Sequence, residues 1–517
     1  MKNKKIYVSI LTVGLIVASV YSCKKSLNTT DSNVIASSDY FKNSAQLLAG
    51  TNAIYSAWHG SNLVGREWFF LHDMRSDDVA TGGSQLEVAR FQLLSGPGDS
   101  DPGNPVMNAV YQSLYTVIHR ANTVTDNAPN VTDNAALRDR LVGEAKFLRG
   151  WAYFDLVTFW GSVPMYTSTV KTADGAQPKA SIAAIYAQIT KDLQDAAAIL
   201  PGKSGYPSTD IARATSAAAN AMLGRVLMQN GDYAGAKAAL LKIPTTGPDG
   251  YSLTARYLDN FEEETEFNSE SIFEMVYSDK GDNNFNWGSG TGDGTSADQT
   301  TVRNQEYDPI GWRNLIPSNH VLNEFENVAA GTGTKNDPRY GYTVYQTGDT
   351  FDNGTATLVD ADQNGNSSVV HGTTIKVGWR KFQLIYKEDR PTAAFHPGSN
   401  NQRILRYAEV LLNLAECENE LGNPASAVTY LNQVRARPSV NMPLYPTAQY
   451  PTATKANITA AIIHEKTVEM ADEEVRNVDI LRWRAKGYFA TEPISWYTPA
   501  LQYLPIPTQE TDNNPKL

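Results

Sequence analysis

Several residue types and patterns that mark other classes of protein are scarce or missing in this chain. Its 517 residues include two cysteines and seven histidines. The histidines show neither the His-x-x-x-His nor the His-Glu-x-x-His spacing of a helical zinc site. The sequence also lacks a Gly-x-Ser-x-Gly nucleophile elbow and a Walker-type phosphate loop. These absences weaken the case for an enzyme, and no metal or cofactor is expected.

Positive charge and long apolar runs are also in short supply. The chain carries 44 lysines and arginines against 55 aspartates and glutamates, a formal net charge of -11. Binding to a phosphate backbone needs a basic stripe, which this composition does not supply, so a nucleic-acid partner is excluded. Beyond the N-terminal region no apolar stretch approaches membrane-spanning length. Any membrane attachment must therefore come from the N-terminus.

The N-terminus carries a secretion and lipidation signal. A basic start, Met1–Lys5, precedes an apolar run, Ile6–Val20, that is too short to span a bilayer comfortably. The run ends in Val-Tyr-Ser-Cys, and a small residue before cysteine resembles the lipobox of bacterial lipoproteins. We predict that residues 1–22 are a signal peptide and that Cys23 is acylated, with a simple secretory signal as the alternative. Cys417, which could pair only with Cys23, is expected to be a buried free thiol.

Helical periodicity dominates the two parts of the chain that flank a central segment. Apolar residues recur there at i, i+3, i+4 and i+7, the pattern of amphipathic helices. The predicted sections are a flexible tether at 23–39, helical repeats at 40–243 and 403–487, and a loop-rich insertion at about 244–396. The predicted helices are Ser44–Trp58, Pro105–Asn127, Ala135–Phe159, Ile182–Leu200, Ser216–Asn230, Tyr233–Leu241, Arg403–Leu421, Pro424–Arg437 and Asn457–Arg484.

Two helix pairs resemble tetratricopeptide repeats. Residues 221–236 combine small and large apolar side chains and turn at Gly231-Asp232, and residues 407–428 repeat this arrangement. A single pair cannot bury its apolar face alone, so such pairs stack into a solenoid. The expected fold class is therefore mainly α, a tetratricopeptide-like solenoid of helical pairs (an α-α superhelix) with a large loop-rich insertion.

The insertion, from about Pro244 to His396, differs from the helical parts in amino-acid composition and pattern. Gly, Asn, Asp and Thr are dense, and helical periodicity disappears. Long loops in a compact domain are either functional or disordered. The interspersed aromatic residues argue against plain disorder, which is poor in such side chains; they are Phe285, Trp287, Tyr307 and Trp312.

Four stretches of the chain carry a family resemblance. Residues 144–164 form a helical pattern that ends at a Gly-x-x-Pro exit, and residues 406–435 form a later repeat. Residues 465–483 are close to a Glu-Arg-x-x-Glu-Leu and Arg-x-x-Asp-Leu-x-Arg-Trp pattern, with Lys466 in place of the usual arginine. The fourth stretch is the Pro-rich segment 504–515. In this order and spacing they resemble the SusD/RagB family of outer-membrane nutrient-binding lipoproteins, along essentially the whole chain.

The resemblance implies a binding protein rather than an enzyme. It implies capture of a glycan at the cell surface and delivery to a SusC-like TonB-dependent outer-membrane transporter, with the lipid anchor holding the protein at the outer membrane and facing the exterior. One alternative is a tetratricopeptide-type scaffold or peptide-binding component of the cell envelope. A surface hydrolase is a further alternative, although adjacent carboxylates such as Asp77 and Asp78 cannot establish the separation that glycosidase chemistry needs.

A glycan site combines flat aromatic rings, which pack on the apolar faces of sugars, with polar side chains for the hydroxyl groups. In the resemblance, ligand contacts come from the loop after the first helix and from the insertion. Trp287 has the alternative role of a loop anchor, and the segment 75–78 that of a capped turn. The candidate ligand-binding residues are Trp68, Asp73, Arg75, Asp77, Asp78, Asn283, Trp287, Tyr307 and Trp312.

In residues 465–483, acidic and basic side chains recur at helical spacing. We expect Glu469, Glu473 and Arg476 to form ion pairs on one helix face. An acid-base active site is the alternative, but perturbed charge pairs often belong to structural networks. Trp151, Trp160 and Trp483 lie in helical motifs and are expected in the core.

Overall fold

The structure is a computed structural model that describes residues 40–81, 101–170, 175–278, 299–387 and 398–517. The predicted signal peptide, Cys23 and most of the tether therefore lie outside the described residues. Among the residues that are described, no helix is both long enough and apolar enough to cross a bilayer. The helices are α1 Ser44–His59, α2 Glu67–Met74, α3 Pro105–Asn127, α4 Ala135–Trp160, α5 Ile182–Ile199, α6 Ser216–Gln229, α7 Tyr233–Leu240, α8 Arg303–Tyr307, α9 Asn319–Glu324, α10 Arg339–Thr343, α11 Tyr407–Glu420, α12 Pro424–Arg435, α13 Lys455–Met470, α14 Arg476–Ala485 and α15 Thr508–Asn513.

Short antiparallel strand pairs accompany the helices. They pair as β1 with β3, β2 with β10, β4 with β9, β5 with β6 and β7 with β8. The strands are β1 Val79–Thr81, β2 Ser271–Met275, β3 Leu315–Pro317, β4 Val344–Gln346, β5 Thr350–Phe351, β6 Ala356–Thr357, β7 Ser368–Val370, β8 Thr373–Ile375, β9 Val377–Trp379 and β10 Gln402–Arg406.

The long helices begin where side-chain caps stand in the sequence. Asn104 accepts a hydrogen bond from the backbone N–H of Met107 at the start of α3, and Thr215 caps α6 in the same way. The end of α4 is set by Gly161, whose φ of 66° lies in the left-handed region. Such local signals explain why most predicted helix ends fall within two residues of the observed ones.

The two helical blocks form one stack, which confirms the predicted fold class. Helix α4 packs between α3 and α5, α5 packs on α6, and α6 on α7. After the insertion the stack continues, because α7 packs against α11, which in turn contacts α12 and α13. Trp151, Trp160 and Trp483 are buried in this body, as predicted. Cys417 is a buried free thiol, also as predicted, and burial raises its pKa to about 12.

Two of the predicted helices are wrong in part. The segment Arg403–Leu421 is not one helix, since Gln402–Arg406 forms β10 and pairs antiparallel with β2. The segment Asn457–Arg484 breaks after Met470, because Asp472 and Glu474 have φ values of 65° and 55°. In both places, long-range pairing or buried charge overrides local helical periodicity.

Candidate functional site

The region after α2 lies directly against the insertion. In the β1–β3 pair, Val79 stands opposite Pro317 and Thr81 opposite Leu315. Ser318 extends this junction, since its backbone N–H donates to the carbonyl of Asp78 at 2.7 Å and its hydroxyl to that of Asp77 at 2.5 Å. The two regions that the resemblance assigned to ligand contact are therefore neighbours in the fold.

Two aromatic side chains predicted to contact ligand are buried at this junction. Tyr307 is 0% exposed, and its hydroxyl donates to Asp73 Oδ2 at 2.6 Å. Trp68 is 3% exposed, and its Nε1 donates to Asp155 Oδ2 at 2.7 Å. Their surroundings do not favour the predicted ligand contact of these rings and Asp73, because they are buried and their polar atoms bind inside the protein.

The segment 75–78 is the capped turn that stood as the alternative. Ser76 Oγ donates to the carbonyl of Asp73 at 2.7 Å and accepts from the backbone N–H of Asp78 at 3.2 Å. Arg75 donates to the carbonyl of Leu501, and its guanidinium lies 4.7 Å from the Trp496 ring. These contacts fix the turn against the C-terminal segment.

The two carboxylates of this turn face Arg476. Asp77 accepts from Arg476 Nε at 2.6 Å and from Nη2 at 2.9 Å. Burial favours the neutral form of Asp77, but the guanidinium outweighs burial and holds its pKa below the ordinary value. For Asp78, burial prevails over Arg476, and together with the charge of Asp77 it raises the pKa to about 7. Asp78 is buried and Asp77 is held in the ion pair with Arg476. Their surroundings therefore do not favour the predicted role in ligand binding.

An acidic cluster lies behind the same turn. The carboxylates of Asp73, Asp472 and Glu474 are close enough to one another to hold a metal ion. Arg303, however, pairs with Glu474 and lies 2.8 Å from Asp472 Oδ1. Burial and the charges of Glu474 and Asp472 raise the pKa of Asp73. The guanidinium takes the place that a cation would fill, so we interpret this cluster as a structural ion-pair group.

The residues of the third family motif form a buried charge network. The guanidinium of Arg406 binds Glu469 at 2.8 Å and Glu473 at 2.5 Å, while Arg476 binds Asp77. The predicted pairing of Glu469 and Glu473 with Arg476 on one helix face is therefore wrong, because the break between α13 and α14 separates them. Their interpretation as structural ion pairs is confirmed, since all of these side chains are nearly inaccessible to solvent.

Of the candidate aromatic residues that the structure describes, Trp312 is the one that remains partly exposed to solvent. It is half-buried, and its backbone N–H donates to the carbonyl of Gln305 at 2.7 Å. The next residue, Arg313, anchors the loop through bonds of 2.8 Å to the carbonyls of Val377 and Asn366. A partly exposed ring on a held loop has the form of a stacking platform.

Trp287 and Asn283 lie outside the described residues. The segment that contains them starts after Ser278 and ends before Gln299. The backbone N–H of Ser278 donates to the carbonyl of Gln299 at 2.7 Å. Close by in the chain, Thr301 pairs with Gly398. The two ends of the segment are thus held side by side on the body.

The insertion also contains a cavity that the sequence did not indicate. It has a volume of about 580 Å³ and lies between the end of α9, the start of α10 and the β7–β8 hairpin. Tyr340 is its half-buried aromatic side chain. The only sequence signal was an aromatic residue in a segment rich in Gly and Asn, which is too weak to identify a site.

Two family models match the chain. Residues 269–493 match a model described as SusD family, and residues 78–228 match a SusD-like model described as starch-binding associating with outer membrane. Among curated relatives, SusD-like protein P25 of Formosa agariphila is 24% identical over 98% of this chain and 97% of its own length. SusD-like protein P2 of the same organism is 26% identical, over 100% of this chain and 99% of its own.

Solved structures share the fold. A SusD-like carbohydrate binding protein from Bacteroides fragilis has a TM-score of 0.74 at 22% identity, covering 92% of this chain and 99% of its own. Surface glycan-binding protein A from Bacteroides thetaiotaomicron, in complex with laminarihexaose, has a TM-score of 0.69 at 22% identity and covers 90% of this chain and 97% of its own.

Proposed function

Because this chain belongs to the SusD family, we propose that it is a glycan-binding lipoprotein of the outer membrane. The observation that carries the proposal is the match of residues 78–228 to a model described as starch-binding and associated with the outer membrane. The laminarihexaose complex of a relative with the same fold adds support. The buried, paired state of the charged motif residues supports a binding role over an acid-base active site.

We assign ligand contact to Trp312, with Trp287 and Asn283 as further proposed contacts from the insertion. An aromatic ring packs on the apolar face of a sugar, and an amide forms hydrogen bonds with its hydroxyl groups. Tyr307 and Trp68 are assigned a supporting role instead, because Tyr307 joins the insertion to Asp73 of α2 and Trp68 joins α2 to Asp155 of α4.

The remaining parts of the proposal concern location and partner. Acylation of Cys23 would hold the protein at the outer membrane, because each buried methylene contributes about 0.8 kcal/mol to membrane binding. With the protein facing the exterior, the bound glycan would pass to a SusC-like TonB-dependent transporter. The family resemblance and the N-terminal signal support this arrangement.

Glycan binding is tested with the protein that lacks its first 23 residues. This protein is first applied to a glycan array. The affinity for each glycan that binds is then measured by isothermal titration calorimetry for the wild type and for the Trp287→Ala and Trp312→Ala variants. We expect each variant to lose roughly tenfold or more in affinity, as for central aromatic contacts in other interfaces. The control is Phe267→Ala, which changes an aromatic side chain that is 36% exposed in another loop.

Two results would count against the proposal. One is an array on which no glycan binds the wild-type protein, and the other is unchanged affinity in both tryptophan variants. A reducing-sugar assay on the hits separates binding from hydrolysis, and we expect no release of reducing ends.

A further inference from the structure

The cavity in the insertion has walls from three separate elements. The end of α9 contributes Phe325, the start of α10 contributes Tyr340, and the β7–β8 hairpin contributes His371 and Thr373. Its volume of about 580 Å³ falls in the range of about 300–1,000 Å³ that small-ligand sites occupy. The cavity is therefore large enough for an organic ligand of a few rings.

The aromatic wall is fixed in orientation. The Tyr340 ring meets the Phe325 ring edge to face, with centroids 5.7 Å apart and an interplanar angle of 87°. Its hydroxyl donates to Gln346 Oε1 at 2.8 Å. A half-buried ring held at both ends offers a ready surface for the apolar face of a sugar, with little loss of side-chain entropy on binding.

Two asparagines of the cavity lining have amide donors to spare. Asn327 Oδ1 accepts from the backbone N–H of Ala330 at 3.0 Å, and Asn336 Oδ1 accepts from that of Val328 at 3.0 Å. Within the part of the chain that the structure describes, the NH₂ groups of these two asparagines donate to no protein acceptor. Both residues line the cavity, so their NH₂ groups are available to hydroxyl oxygens of a ligand.

The hairpin wall is held in place by α9. The backbone N–H of Val369 donates to Asn319 Oδ1 at 2.9 Å, and that of His371 donates to Asn323 Oδ1 at 2.6 Å. The hairpin turns through His371 and Gly372, whose φ values of 45° and 84° suit a tight two-residue turn. The cavity is thus preformed, as ligand sites usually are.

The two carboxylates in the cavity lining are already paired with cations. Glu326 and Asp337 belong to its lining, and each is paired from behind, Glu326 with Arg435 and Asp337 with Arg339, both at 2.7 Å. Among the described lining residues there is no lysine or arginine. A sulfate or carboxylate on a ligand would therefore lose its water there without gaining a lysine or arginine partner.

We propose that this cavity is a second saccharide site, separate from the Trp312 surface, and that it selects neutral sugar units. The proposal rests on the proposed glycan-binding function. The Tyr340 ring receives the sugar face, and the amides of Asn327 and Asn336 bind its hydroxyl groups. The lack of a lysine or arginine among the described lining residues disfavours anionic sugars.

The test uses the mature protein, titrated by calorimetry with laminarihexaose and maltohexaose and with sulfated forms of both. We expect Tyr340→Ala to weaken binding of the neutral oligosaccharides roughly tenfold, and Tyr340→Phe to keep most of the affinity. Asn336→Asp keeps the acceptor for Val328 but removes the donors and adds a negative charge, so it should also weaken binding. Tyr503→Ala, which alters a tyrosine that is 38% exposed elsewhere, is the matched control.

The outcomes separate this inference from the proposed function. If Trp312→Ala lowers affinity while Tyr340→Ala and Asn336→Asp bind as the wild type does, the cavity is not a saccharide site and the proposed function stands. If sulfated oligosaccharides bind as tightly as neutral ones and depend on Tyr340, the selectivity is refuted. If the wild type binds none of the four probes and nothing on the array, both proposals fall. Thermal melts of every variant exclude loss of fold as the cause.

Discussion

A buried histidine makes stability depend on pH in a measurable way. His464 is fully buried on α13, with Nδ1 2.7 Å from Glu324 Oε1 and Nε2 3.6 Å from Glu326 Oε1. The Tyr450 ring stacks on the imidazole at a centroid distance of 4.2 Å. Burial alone would lower the pKa of His464, but the hydrogen bond to Glu324 and the nearby carboxylate of Glu326 outweigh it and raise the pKa to about 9.

The size of the effect follows from the two pKa values. In the unfolded chain the histidine has its ordinary pKa of 6.5, so below that pH it is protonated in both states. As the pH rises toward about 9, the folded state alone keeps the proton, and the free energy of unfolding falls. The loss attributable to this residue is about 3 kcal/mol, at roughly 1.4 kcal/mol per pKa unit.

The assay compares wild type with His464→Gln by urea denaturation at several pH values between about 6 and 10. Other titrating groups cancel in the difference between the two proteins, which should shrink by about 3 kcal/mol across that range. His119→Gln, which changes an exposed histidine outside the cluster, reports any general effect of losing an imidazole. A difference that stays flat with pH would show that His464 does not carry the proton we assign to it.

Three other perturbations have definite expected results. Asp78→Asn should raise the free energy of unfolding at about pH 8 by roughly 4 kcal/mol, since the pKa rises from 3.8 to about 7 at about 1.4 kcal/mol per pKa unit. The gain should vanish as the pH falls from 7 to below 3.8, where the wild-type carboxylate is protonated in both states, and a gain in urea denaturation that is independent of pH would contradict this. Gly224→Ala places a Cβ 2.4 Å from Leu240 Cδ2 between α6 and α7, so we expect a loss of about 1–3 kcal/mol in thermal melts, whereas Gly341→Ala, which meets no atom within 4 Å, should cost little. Cys23→Ser should move the protein from the membrane fraction to the soluble fraction on immunoblots, and retention in the membrane would refute lipid anchoring at this residue.

Local patterns were sufficient to predict most of the helical body. Helix α3 was predicted with its observed ends, Pro105 and Asn127, because Asn104 and Pro105 mark its start in the sequence itself. The prediction failed where distant segments decide the backbone. The prediction began a helix at Arg403, but residues 402–406 pair with β2, more than 120 residues earlier in the chain.

The candidate site was predicted by region and not by residue. The resemblance implied ligand contacts from the loop after the first helix and from the insertion, and the β1–β3 pair joins these two regions. It could not show that Tyr307 lies inward, because the hydrogen bond to Asp73 links residues 234 positions apart. In a loop-rich sequence nothing distinguishes the half-buried Trp312 from the fully buried Tyr307. Only the tertiary contacts separate the two.

The distant ion pairs have a consequence for folding. Arg66 and Glu306 are 240 residues apart, and Asp77 and Arg476 are 399 residues apart. Contacts between such remote positions form late in folding. The native state should therefore form slowly compared with single helices. A nascent or truncated polypeptide that stops short of Arg476 would leave Asp77 unpaired and apolar helix faces uncovered. The molecule is therefore most vulnerable to aggregation and proteolysis while synthesis is incomplete.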